Sequence, residues 1–416
     1  MRLLYFAILM VLLKDAAAQD TTQQIVPNRT NSPAQQAKPY VILISADGFR
    51  HDLAEKYQAT NLLRLSVSGV TAKYLQPSFP SLTFPNHYSI ITGLYPAHHG
   101  LVDNSFYDAV KGAYSMNNKK SAADSSWYGG TPLWALAEQQ QMLSASFYWV
   151  NSESAIQGIH QTYYYNYNEK IDIDTRIRTV KNWLQLPEDK RPHLITFYFP
   201  QVDHDEHTYG PESKEAGDAV RFVDSSIGKL VAAVEELHLP VNFIFLADHG
   251  MTTVDTQNPI RRPGAIDTTK FVMSWGSSLL HLYAKDKADI PAAYKALKKT
   301  ADGFDVYLTN KTPKRWHYRK KDDVFNRVGD IILIPHLPRV FNFGTRVSNI
   351  GAHGFDPAID DMHATFYAWG PAFKEHITID GFENVHVYPL IASILGLPYS
   401  FTIDGKLRVL KPVLKE

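Results

Sequence analysis

The ten residues 242–251, NFIFLADHGM, constrain the fold more than any other stretch. Phe243 to Ala247 form an unbroken apolar run, and Asp248, His249 and Gly250 follow at once. A run this short, bounded by glycine and polar residues, reads as a strand covered on both faces, as in a parallel sheet. Residues 40–45, YVILIS, repeat the pattern and lead to Asp47 and Gly48. Residues 193–199 form a third such strand, with Asp203 beyond it. Open α/β sheets bind ligands outside the carboxyl ends of their strands. Three aspartates that each follow a separate strand therefore converge on one edge. Helical spacing at 51–68, 133–141, 176–184, 215–237 and 385–395 alternates with these strands. The alternation predicts an α/β fold, a mostly parallel central sheet with helices on both faces.

The N-terminus reads as an export signal. Arg2 precedes an apolar run from Leu3 to Leu13, and Ala16 to Ala18 offer a small-residue cleavage site. Such a run is too short to span a bilayer comfortably, so residues 1–18 are expected to be removed, leaving no transmembrane segment. Residues 19–39 are rich in Gln, Thr, Asn and Pro and read as a flexible linker. Residues 40–416 read as a single catalytic domain, with 255–350 as an inserted subdomain and 311–328 as basic surface. The 416 residues include no cysteine, which excludes disulfides, thiolate nucleophiles and cysteine zinc sites. An exported chain of this size without cysteine suits a bacterial periplasm, with secretion as the alternative. Lys+Arg and Asp+Glu balance at 42 each. No net field recruits nucleic acid, so no stable nucleic-acid partner is expected and a charged ligand must be held locally.

Taken singly, the chemical residues are ambiguous. Asp248 and His249 also fit a helix cap beside a core histidine. Asp203 and His207 lie four apart, on one face of a helical turn, where both reach a single ion. The same cluster also fits a solvated charged turn. His353 sits in GAHG, where glycine lets backbone approach a ligand closely. Carboxylate and imidazole donors without cysteine suit catalytic Zn²⁺ with open coordination positions. These donors exceed what one zinc takes. Two ions about 3.5–4 Å apart clamp the attacking and leaving oxygens of a phosphoryl transfer. A hydroxyl nucleophile would come from Ser81 or Thr83 in the Pro-rich loop 78–87, where either also fits an ordinary turn.

Together the motifs carry a resemblance. They are ISADGFR (44–50), LTFPNHYSIITGLYPAHHGLVDN (82–104), DEHTYGP (205–211), LADHGM (246–251) and GAHGFDP (351–357), with ATFYAWGPAFK and NVHVYPLIASILGL closing the chain. The chain resembles the nucleotide pyrophosphatase/phosphodiesterase family of the alkaline phosphatase superfamily, in its compact bacterial form. The resemblance implies an alkaline-phosphatase-like fold and two Zn²⁺ ions. It implies that Thr83 is the nucleophile, and that Asp203, His207 and His353 hold one zinc. Asp47, Asp248 and His249 would hold the other, with Thr83 bridging towards it. Asn104 matches the residue that hydrogen-bonds a phosphate oxygen. The implied reaction is hydrolysis of nucleotide phosphodiester and phosphoanhydride bonds, such as ATP to AMP and pyrophosphate, through phospho-Thr83. One departure stands out: between Asp203 and His207 the family commonly keeps small residues, whereas His204, Asp205 and Glu206 stand here. They are expected to add negative charge.

Phe84, Trp149 and Tyr167 are the aromatic residues expected beside a nucleobase, where stacking contributes roughly 1–3 kcal/mol per base. Aromatic rings also cage choline by cation–π contact. Lysophospholipid and choline phosphodiesters, or other phosphate esters, are the alternative substrates, and a non-catalytic binding protein on the same fold is the third reading.

Overall fold

The structure is a computed structural model that describes residues 21–415. The export signal read at 1–18 lies outside the described residues. The strand Tyr40–Ala46 has all seven residues buried, as expected of a run with no polar face. It pairs in parallel with Leu194–Phe199 on one side and Val241–Leu246 on the other. Ser144–Phe147 and Tyr163–Tyr164 extend the parallel set. Phe366–Trp369 pairs antiparallel to Val241–Leu246, Val70–Ala72 and Ile377–Ile379 follow it, and Gln24–Ile25 at the opposite edge completes a nine-stranded, mostly parallel sheet. This is the expected alkaline-phosphatase-like α/β architecture.

Two helical layers cover the sheet. Lys214–Glu235 packs on Thr60–Val67, Ile173–Leu184 and Gln201–Tyr209. Its buried residues, among them Ala216, Val220, Val223, Ile227, Leu230 and Val234, recur at helical spacing. Ser213 caps its first turn by accepting from the Ala216 N–H at 3.0 Å. In the other layer, Thr83–Thr92 packs on Val387–Leu395, which lies against Tyr40–Ala46. Among the described residues, no helix is long and apolar enough to cross a membrane.

Within 255–350 lies a four-stranded antiparallel sheet, Phe271–Trp275, Leu280–Ala284, Ile331–Pro335 and Phe304–Leu308, with the helix Ile290–Thr300. Period-two alternation splits its faces. Ile331 and Leu333 join the core beneath that helix, whereas Ile332 and Ile334 join the main core.

Two expectations from composition fail. Residues 21–39, read as part of a flexible linker, lie against the sheet edge. Gln24–Ile25 pairs with Tyr163–Tyr164, and the Asn31 amide donates to the Glu188 and Arg191 carbonyls at 2.8 and 2.7 Å. A polar segment is ordered here because backbone groups elsewhere supply its partners. The stretch 311–328 is not simply basic surface. Trp316 stacks on Phe79 at 4.1 Å, and buried Arg327 bonds Asp108 at 2.9 Å. The charges concealed a set of anchors.

Candidate active site

The register of the three central strands brings their aspartates together. Ala46 pairs with Phe199 and Ser45 with Leu246, so Asp47, Pro200 and Asp248 stand at one level just beyond the sheet. Asp203 follows on the helix Gln201–Tyr209 and Asp248 one residue after Ala247. Gly48 is required at the crossing. Its φ is +73°, and a Cβ there would stand 3.0 Å from the Asp203 Cα. The Gly48 N–H donates to Asp248 Oδ1 at 3.3 Å.

Three imidazoles face these carboxylates in the same way. His207 Nδ1 donates to the Gly351 carbonyl at 2.8 Å, His353 Nδ1 to that of Ser81 at 2.9 Å, and His249 Nδ1 to that of Gly250 at 2.9 Å. Each ring thereby turns a bare Nε2 into the site, the arrangement that presents histidine to a metal. His207 Nε2 lies 3.4 Å from Asp203 Oδ1 and 3.2 Å from His353 Nε2. His249 Nε2 lies 3.4 Å from Asp47 Oδ1 and 3.1 Å from Asp248 Oδ2. No described residue donates a hydrogen bond to Asp47 Oδ1, Asp203 Oδ1 or Asp248 Oδ2, although all three are buried. Burial, with repulsion from Asp248 at both Asp47 and Asp203, pushes the acids up, Asp248 to about 7. Burial pushes the imidazoles down, His353 to about 3. Neutral imidazoles beside acids that repel one another suit a bound metal cation.

The donor atoms fall into two close groups, Asp203 with His249 and His353, and Asp47 with His87 and Asp248. His249 stacks on His353 at 3.6 Å and so reaches both sets of carboxylates. His87 did not stand out in the sequence. Its Nδ1 donates to the Thr83 carbonyl at 3.0 Å and its Nε2 accepts from the Ser45 hydroxyl at 2.8 Å. With both nitrogens engaged, His87 ties the first turn at Thr83 to the strand that carries Ser45. Its i+4 spacing from Thr83 was the available signal.

The loop read at 78–87 is helical from Thr83, which opens Thr83–Thr92. Pro85 is tolerated because first-turn N–H groups have no partner within the helix. The Thr83 hydroxyl stands 3.1 Å from His249 Nε2, at a helix N-terminus that favours anions. Ser81, the other candidate, is fully buried and donates its hydroxyl to the Phe355 carbonyl. Asn104 Oδ1 accepts from the Phe84 N–H at 3.0 Å, leaving its amide N–H₂ as the donor end.

Thr83, Asn104, Asp203, His207 and His353 share a cleft of about 360 Å³. The inserted segment supplies its far wall, including Trp275, a residue with no distinguishing signal in the sequence. Phe84 is half-buried beside Thr83. Tyr167 remains 42% exposed, with its ring against Tyr148 and Tyr198. Trp149 differs from expectation. It is buried, and its indole N–H donates to the His87 carbonyl at 3.2 Å, so it braces the helix Thr83–Thr92 rather than offering a face to a base.

The family model described as "Type I phosphodiesterase / nucleotide pyrophosphatase" matches residues 41–356. Human ectonucleotide pyrophosphatase/phosphodiesterase family member 1 is 33% identical over 389 residues, 89% of this chain and 41% of the relative. Venom phosphodiesterase 2 of Crotalus adamanteus is 34% identical over 382 residues, 88% of this chain and 46% of the relative. The chain thus spans less than half the length of these curated relatives. Solved human ectonucleotide pyrophosphatase/phosphodiesterase 5 superposes with a TM-score of 0.84 at 26% identity, over 91% of this chain and 100% of that one. An inactive threonine-to-alanine variant of the murine protein, in complex with AMP, gives the same TM-score, identity and coverage. With its model matched across the three central strands and the cleft they open into, the chain belongs to the type I phosphodiesterase / nucleotide pyrophosphatase family.

Proposed function

We propose that this protein is a two-zinc phosphodiesterase that hydrolyses nucleotide phosphodiester and phosphoanhydride bonds, releasing a nucleoside monophosphate. The observation that carries the reading is the set of three imidazoles anchored through Nδ1. Their bare Nε2 atoms face three buried carboxylates, beside a helix-terminal threonine. Asp203, His207 and His353 would hold one ion, and Asp47, Asp248 and His249 the other. Bound ions would lower the pKa of the Thr83 hydroxyl and neutralise charge on the phosphoryl oxygens.

Thr83 Oγ attacks phosphorus in line with the leaving oxygen. The P–O bond to the leaving group breaks, and the phosphoryl group is carried on Thr83. Water then cleaves the Thr83–phosphate ester and restores the hydroxyl. Asn104 donates to a non-bridging oxygen as charge develops there, and the N-terminal N–H groups of Thr83–Thr92 add to that field. Phe84, next to Thr83 in the chain, and Tyr167, whose ring packs against Tyr198, would supply aromatic surface to the base. The AMP complex of the murine relative supports a nucleotide as substrate.

The test is turnover of ATP, p-nitrophenyl thymidine monophosphate and lysophosphatidylcholine by metal-stripped protein before and after zinc is restored, with products separated by chromatography. Zinc-dependent AMP and pyrophosphate are expected. Thr83→Ala is expected to lower turnover by roughly a thousandfold or more. Unchanged turnover removes Thr83 from the mechanism, and hydrolysis of lysophosphatidylcholine alone moves the substrate to lipid.

A further inference from the structure

A second group of imidazoles and carboxylate lies among residues outside the candidate active site. His51, Asp360 and His363 bring ligand atoms within 4.8 Å of one another. His363 Nδ1 stands 3.1 Å from Asp360 Oδ1, and His51 Nε2 stands 3.4 Å from Asp360 Oδ2. A simple ion pair needs one imidazole for one carboxylate, and here two converge.

Backbone and packing enforce the convergence. The His51 N–H donates to the His363 carbonyl at 3.1 Å, and the His363 N–H to the Asp360 carbonyl at 2.9 Å. Tyr74 lies flat on the His363 ring, 3.8 Å away and 4° from parallel. The next acid, Asp361, is engaged elsewhere, with Arg50 at 3.5 Å and the Thr252 hydroxyl at 2.6 Å. The Asp360 side chain, 80% exposed, opens the group to solvent.

We propose that His51, Asp360 and His363 form a peripheral zinc site, separate from the candidate catalytic ions. Two imidazole nitrogens and one carboxylate oxygen are a donor set for Zn²⁺, with water completing the coordination. The site is structural. Residues 362–365 run between the two loops that carry Asp47 and Asp248. The Gly250 N–H donates to the Met362 carbonyl at 3.0 Å, the Ala247 N–H to that of Thr365 at 3.2 Å, and the Thr365 N–H to that of Phe49 at 3.1 Å. Zinc held by His51 and His363 ties this strap to the Asp47 loop without touching substrate.

The test is zinc content per chain by emission spectroscopy, at about 1 µM buffered free zinc. The double variant His51→Ala with Asp360→Ala leaves one imidazole and disturbs only partly exposed side chains. It is expected to carry one zinc fewer than the unaltered protein, and its zinc-induced rise in Tm is expected to be smaller by about 2–4 °C. The single variant His363→Ala, which loses packing on Tyr74, is expected to lose the same equivalent. The count is a difference between proteins with the same active site, so it does not depend on what that site binds. Equal zinc content in the unaltered protein and the folded double variant overturns the proposal.

Discussion

Glu206 is fully buried, and no described residue donates a hydrogen bond to either carboxylate oxygen. The sequence suggested that it would add negative charge between Asp203 and His207. Burial instead pushes its carboxyl well above the usual range and favours the neutral form. A buried carboxyl without a partner costs roughly 1–3 kcal/mol against an apolar group of similar length. Glu206→Met is therefore expected to raise stability by about 1 kcal/mol, read as a higher denaturation midpoint. A lower midpoint would mean that the carboxyl has a favourable partner. At this scale the metal-type residues were legible because Asp, His and Gly stand directly after apolar runs. His87 and Trp149 were not, because their roles are set by the neighbours on which they spend their hydrogen bonds.

Helix Gln201–Tyr209 and strand Gly351–Ala352 hold His207 and its partners in place. A Cβ on Gly351 would stand 2.3 Å from the Glu206 carbonyl oxygen, and the Gly351 carbonyl fixes the His207 ring. Gly351→Ala is expected to part the two elements and lower affinity for the proposed zinc by about tenfold. Competition with a chromophoric chelator measures this, and unchanged affinity would show that the backbone yields without moving His207. The spacing of Asp203 and His207 announced a helical face. The start of the helix at Thr83 was hidden because its proline signalled a loop. Pro85 falls in the one turn where a missing N–H costs nothing.

Across the whole molecule, residues far apart in sequence close the structure. His98 Nδ1 meets Asp404 at 2.7 Å, and Asp404 also accepts from the Tyr95 N–H at 2.8 Å. The Asp404 hydrogen bond raises the His98 pKa against an opposing effect of burial. A raised folded-state value stabilises the protein fully below the unfolded pKa of about 6.5, and this contribution fades as pH rises through the folded value. The stability gap between the unaltered protein and His98→Asn is expected to be wide at about pH 5.5 and to shrink by about pH 8.5. A gap independent of pH would assign the pair no ionic role. The strands, the long helices and the aspartates after each strand follow from local order, since burial period and strand-end position are written in neighbouring residues. The convergence of Asp47, Asp203 and Asp248 on one edge was legible too, and strand register decided only that Asp47 and Asp248 stand level. The Trp275 wall, the bracing Trp149 and the ordered segment at 21–39 needed long-range packing. Those features depend on which surfaces meet once the sheet has formed, and contacts between distant residues leave no period in the chain that makes them.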